Sequence, residues 1–177
     1  MIRILLMVFI SCLFIQDEPT LTWESDYRLE WNDFRASPKR QADVIAVTAS
    51  GLSFGYTTKR FSTGRIEYEF EVKAHFYPEK SWFLKEHVSH ITLTHERLHF
   101  DITELHARKF RQRVRGTRFT SNIDNEMDVI HNAINDQLRE MQQKYDSETQ
   151  HSRDVAQQKV WQAIVAEELD KMEGYRE

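Results

Sequence analysis

Between Arg65 and Lys73 the chain alternates without a break. Ile66, Tyr68, Phe70 and Val72 fall on one side, and Arg65, Glu67, Glu69, Glu71 and Lys73 on the other. A period of two predicts a strand with one buried and one wet face. Shorter apolar runs at Val44–Thr48 and Leu52–Tyr56, divided at Ser50-Gly51, predict two more strands. A turn is expected at Ser62-Thr63-Gly64, so residues 22–78 read as strands and turns. From Trp82 onward the pattern turns helical. On a helix begun at His95, Leu98, Ile102 and Leu105 share one narrow stripe, the expected core face. That helix is expected to end near Gly116, after a basic last turn of Arg111, Arg113 and Arg115 that suits the dipole. A second helix carries Met127, Ile130, Ile134, Leu138, Met141 and Tyr145; a third carries Val160, Trp161, Ile164, Val165, Leu169 and Met172. There is no repeat and no long linker. The pattern predicts one α+β domain, a small antiparallel sheet first and helices after it.

The N-terminus reads differently. Met1-Ile2-Arg3 precedes an apolar run from Ile4 to Ile15, which stops at Gln16-Asp17-Glu18-Pro19. One positive charge, an apolar stretch and then polar sequence is the layout of a secretory signal. The run is shorter than the roughly 20 residues a bilayer span needs, and no other stretch qualifies as a transmembrane segment. The expectation is a signal peptide at 1–16, a single domain at 17–177, and a secreted, periplasmic or envelope location. Cys12, in Phe9-Ile10-Ser11-Cys12, is a poor lipidation site.

Composition narrows the chemistry. The chain has 177 residues, 24 basic and 28 acidic side chains and a net charge of −4, with a pI near 6.1. That length supports one core, and the charge gives no general attraction for nucleic acid. A single cysteine excludes a disulfide framework and any cysteine-rich metal site.

His95-Glu96-Arg97-Leu98-His99 matches H-E-x-x-H. Residues four apart on a helix lie about 40° apart around it and one turn apart along it. Two imidazoles so placed can reach one Zn²⁺, and Glu96 can work on a bound water as general base. A catalytic zinc needs a third protein ligand. His106 lies seven residues beyond His99, about 10 Å along the axis and too far for a shared metal. Glu104 points roughly to the opposite side. His131, bordering the apolar stripe of the second helix, and His151, at the junction of the second and third, both remain, and periodicity does not choose between them. His75, His87 and His90 belong to no motif.

Several segments resemble an uncharacterised bacterial family described as predicted secreted zinc-dependent proteases of zincin-like type. They are Leu29-Glu30-Trp31-Asn32-Asp33-Phe34, Thr48-Ala49-Ser50-Gly51, and Phe76-Tyr77-Pro78-Glu79-Lys80-Ser81-Trp82. The strongest is His95-Glu96-Arg97-Leu98-His99-Phe100-Asp101-Ile102 with Glu104, Ala107 and Arg108. It is followed by Tyr145-Asp146-x-x-Thr149-x-His151, with Gln158 and Trp161 beyond. The resemblance implies a zincin-like metallopeptidase fold, Zn²⁺ as cofactor and a peptide or protein substrate. It implies His95 and His99 as ligands with Glu96 as catalytic base, and it favours His151 over His131 as the third ligand. At His106 the family pattern leads one to expect an aromatic such as Tyr. The alternative function is a non-catalytic zincin-like module binding zinc or a partner protein.

Other motif residues carry two readings each. Asp101 and Glu104 are either acceptors that orient a ligand histidine or members of surface pairs, Arg97–Asp101 and Glu104–Arg108. Tyr145 is either an oxyanion donor or, as its place in the helix stripe favours, core. Trp31, Trp82 and Trp161 read as core anchors, and Lys109 to Arg118 as a solvated helix end.

Overall fold

The long β-hairpin is the first element that the alternation foretold. In the computed structural model, which describes residues 18–39 and 44–177, β1 is Leu21–Thr22, β2 Ala46–Val47, β3 Ser50–Arg60, β4 Ile66–Phe76 and β5 Trp82–Phe83. The expected signal at 1–16, with Arg3 and Cys12, lies outside the described residues. β3 and β4 pair antiparallel from Ser50↔Phe76 to Arg60↔Ile66. Their turn closes at Gly64, whose φ of 82° is the left-handed conformation that glycine adopts without a Cβ penalty. β1 adds to the other edge of β4, giving the order β1-β4-β3, and β2 pairs with β5 in a separate two-stranded ribbon. Along β4, Val72, Ala74 and Phe76 are buried while Glu67, Glu69 and Glu71 are exposed, as the period of two requires.

Three helices follow: α1 (His90–Gly116), α2 (Ile123–Glu148) and α3 (Val155–Lys171). The layout is α+β, sheet before helices. Two boundaries differ from the sequence reading. Trp82–Phe83 is a strand, too short to show any period, and α1 begins at His90, five residues before His95. Its start is set by Ser89, whose hydroxyl accepts from the Thr92 N–H while Thr92 accepts from the Ser89 N–H. His95 therefore sits in the second turn, where the helix is fully hydrogen-bonded and its side chains are held in place. Asp154 caps α3 by accepting from the Gln157 N–H at 2.9 Å.

α1 is the central element. It packs on β4 with one face and on α2 and α3 with others. Towards the sheet, Val72, Phe76, Phe110, Met127 and Ile134 form one core; towards α3, Leu98, Ile102, Leu138, Tyr145, Trp161 and Val165 form a second. Each fully buried side chain of this kind contributes roughly 1.5–3 kcal/mol of transfer free energy. Val160 and Ile164, which the helical pattern placed with the core of α3, are instead exposed. Among the described residues, no helix is long and apolar enough to cross a membrane.

At the C-terminal end of α1, Arg113, Arg115 and Arg118 are exposed as its charges suggest, but Arg111 is not. Arg108 and Arg111 are each 2% exposed and share the buried Glu104 carboxylate, at 2.9 and 3.1 Å. Arg111 also donates to Val72 O and Tyr175 O, and Arg108 to Leu169 O and Glu173. Glu104 thus holds the segment after α3 against α1, because two buried guanidiniums need acceptors on several sides.

Candidate metal centre

One turn of α1 and one turn of α2 converge at the site. His95 and His99 project from the same face of α1, with their Nε2 atoms 3.2 Å apart. α2 crosses that face and carries Asp146, whose Oδ1 lies 3.0 Å from His95 Nε2 and 2.9 Å from His99 Nε2. His95, His99 and Asp146 together form a group whose ligand atoms could hold a metal ion. Atoms at about 2.0–2.1 Å from a tetrahedral zinc stand roughly 3.3 Å apart, so the three separations seen here need to open by only a few tenths of an ångström.

Gln142, one turn before Asp146 on α2, sets the protonation of His99. Its side-chain nitrogen donates to the His99 backbone carbonyl at 2.9 Å, and its side-chain oxygen faces His99 Nδ1. A carbonyl only accepts, so the amide orientation follows and Nδ1 must carry the hydrogen. His99 Nε2 then meets the Asp146 carboxylate either with a second proton or with a lone pair that calls for a cation between them. The donor set fits zinc: two imidazole nitrogens and one carboxylate oxygen. His95 is held differently. Its ring stacks on Tyr145 at 4.4 Å, and its buried Nδ1 has no hydrogen-bond partner among the described residues.

Charge follows the same geometry. Burial disfavours a charged His99, but its hydrogen bond to Asp146 and the charges of Asp146 and Glu96 outweigh burial and raise its pKa. Burial alone would raise Asp146 too; the hydrogen bonds from His95 and His99 win and hold its carboxyl well below the usual carboxylate range. The Tyr145 phenol is pushed up by burial and by Glu96 and Asp146, so it stays protonated. It is fully buried, touches both imidazoles and Trp161, and is a wall of the site; its hydroxyl donates to His95 O at 3.4 Å.

The α2–α3 junction places His151. Thr149 Oγ1 donates to Tyr145 O at 2.7 Å, and the His151 N–H donates to Asp146 O at 2.9 Å, folding the chain back. The fold-back carries Gln150, His151 and Ser152 through φ of 50°, 51° and 73°. Three successive side-chain-bearing residues in the left-handed region is a costly conformation, roughly 1–2 kcal/mol for each. The result sets the His151 imidazole beside the site, half-exposed, with Nδ1 3.7 Å from Asp146 Oδ1.

These groups open into a cleft of about 560 Å³. The buried Glu96 lines it next to the imidazoles, with its carboxylate making no hydrogen bond or ion pair to another described residue. Val44 to Val47 and Leu138 form an apolar wall, and Asn135 and Arg139 continue the lining along α2. Thr48 Oγ1 donates to Glu96 O at 3.2 Å and Ser50 meets Thr103 at 2.7 Å, so the start of β3 and the segment before it are tied to α1.

His95, Glu96, His99 and His151, all expected from the sequence, therefore share one cleft. His131 does not. Its ring packs against Phe54 at 4.5 Å and Phe110 at 6.0 Å, because it lies 15 residues before Asp146, about 22 Å along α2. His106 is buried about 10 Å further along α1 from His99, with Nδ1 2.8 Å from Ile102 O. Asp101 accepts from Trp23 and Arg28, not from a histidine, and Arg97 pairs with Glu30 rather than Asp101. Gln158 donates to Ile91 O and Trp161 to Glu148, which fixes α3 against the start of α1 and the end of α2. Sequence reasoning names Asp146 only as part of the segment Tyr145-Asp146-x-x-Thr149-x-His151, with no role as a ligand, and does not name Gln142. The two stand four apart on α2, as His95 and His99 do on α1.

The chain matches, over residues 23–152, the family described as bacterial protein of unknown function (DUF922). Comparison with curated proteins and with solved structures gives no match. The match spans most of the chain, including both helical turns of the centre, and the chain belongs to that family.

Proposed function

We propose that this member of the DUF922 family is a zinc-dependent hydrolase of peptide bonds. The observation that carries the reading is the convergence of His95 Nε2, His99 Nε2 and Asp146 Oδ1 beside the Glu96 carboxylate at the end of an open cleft. Zinc bound there supplies a Lewis acid for a carbonyl and lowers the pKa of a water. His95, His99 and Asp146 would hold it; Gln142 fixes the tautomer and tilt of His99. Glu96 takes a proton from the attacking water and returns it to the leaving amine, work for which a carboxylate without a partner among the described residues is suited. Tyr145 keeps water away from the back of both imidazoles. The apolar wall and a cleft of about 560 Å³ suit a peptide more than a small polar substrate. The export expected from the segment before residue 17 belongs to the same reading.

A second reading is favoured by His151. With Nδ1 3.7 Å from Asp146, it stands close enough to add a fourth ligand or to take the place of Asp146. Four protein ligands make a closed, structural zinc site without turnover, and the chain would then be a zinc-binding module. The Glu96→Gln variant separates the two. Under the first reading it keeps its zinc and loses hydrolysis of a peptide mixture by a factor of about 10² or more. Equal activity in the variant and the parent removes Glu96 as base, and zinc binding with no hydrolysis in the parent leaves the module.

A further inference from the structure

The cleft is bipolar. Its two carboxylates, Glu96 and Asp146, lie at the metal end, and Arg139 is the one lysine or arginine lining it among the described residues. Arg139 and Asp146 are seven residues apart on α2, two turns, so they share a face and stand about 10 Å apart along the axis. An extended peptide advances about 3.3 Å per residue, so that distance is three residues of substrate. Gln142 stands between the two on α2, and the apolar side chains of Val44 to Val47 and Leu138 line the same cleft. Arg139 has an ion-pair partner, Asp136 at 2.6 Å, but both side chains are more than half exposed, 62% and 59%. A pair so open to water is weak, and a carboxylate entering the cleft can replace it. A guanidinium presents a planar fork that matches a carboxylate bidentately.

Resting on the peptidase reading, we infer that Arg139 is a specificity residue, selecting peptides with a carboxylate about three residues from the scissile bond. The carboxylate is the chain terminus of a short peptide or the side chain of an acidic residue, and the same fork serves both.

The test uses N-acetylated apolar hexapeptides in three forms: free acid, C-terminal amide, and amide with aspartate as last residue. Binding is measured to the zinc-loaded Glu96→Gln chain, where the peptides survive. The free acid or the aspartyl amide is expected to bind about tenfold tighter than the plain amide, as a charge-assisted bidentate contact provides; which of them does so names the source. Arg139→Gln should abolish the preference, whereas Asp136→Asn should enlarge it. Equal binding of all three forms, a preference that survives Arg139→Gln, or no binding at all overturns the inference. Cleavage by the parent without regard to the carboxylate removes this inference and leaves the peptidase reading. Arg139-dependent binding with no cleavage removes the peptidase reading and leaves a peptide-binding module.

Discussion

Gln142 is bonded to His99 twice, through its amide nitrogen to the backbone carbonyl and through its amide oxygen to the imidazole Nδ1. The first bond fixes the helix spacing at this crossing and the second fixes the imidazole's tautomer. A side chain on α2 therefore decides which nitrogen of a ligand on α1 faces the centre.

Gln142→Ala should weaken zinc binding by roughly 10–100-fold, the usual cost of removing a partner that orients a ligand. Helix content should not change, since Gln142 is only partly buried. Competition with a chromophoric chelator reads the affinity and circular dichroism the fold.

Asp146→Asn should lower zinc affinity more than His151→Ala, because the Asp146 oxygen already stands 3.0 and 2.9 Å from the two imidazole nitrogens while His151 is half-exposed. The opposite ranking in the same competition assay would give the third position to His151, as the sequence resemblance implies.

Ser152→Gly should stabilise the fold by about 1 kcal/mol, since glycine adopts φ near 73° without the Cβ clash that serine bears there. For a chain of this size that is a rise in Tm of roughly 2–4 °C, measurable by calorimetry. An unchanged or lower Tm would mean that the left-handed run carries no strain to release.

His106 gives stability a pH dependence of known sign. Burial, with Lys109 adding and the Ile102 carbonyl opposing, lowers its pKa to about 4, against an ordinary value near 6.5. The unfolded chain therefore binds the proton first. This contribution is fully present above about pH 6.5 and is lost as pH falls towards 4, by about 3 kcal/mol in all. His106→Phe should flatten that part of the profile, read as the difference between urea unfolding free energies at pH 7 and pH 4.5. Parallel profiles in the two proteins would count against the assignment.

Much of this was legible beforehand where a local period or spacing carried it. The alternation from Ile66 to Val72 marks β4, and His95 and His99 pair through helical geometry alone. Asp146 was not legible as a candidate ligand, because its role depends on how α2 crosses α1, which no periodicity within either helix encodes. The same holds for Gln142. Arg108 and Arg111 look like solvent-facing charges until the segment after α3 folds back and buries them around Glu104. Trp82–Phe83 is too short to carry a period, and its strand pairing exists only because β2 lies beside it. His151 was placed correctly at a helix junction, yet its distance to the centre follows from three left-handed residues that no motif announces.

The most direct measurement is the zinc content of the purified chain by elemental analysis, alongside His95→Ala and Asp146→Asn. The centre described here predicts about one zinc per chain, lost from His95→Ala and much reduced in Asp146→Asn. A parent chain that takes up no zinc after reconstitution would contradict it, leaving His95, His99 and Asp146 as a hydrogen-bonded cluster that joins two helices.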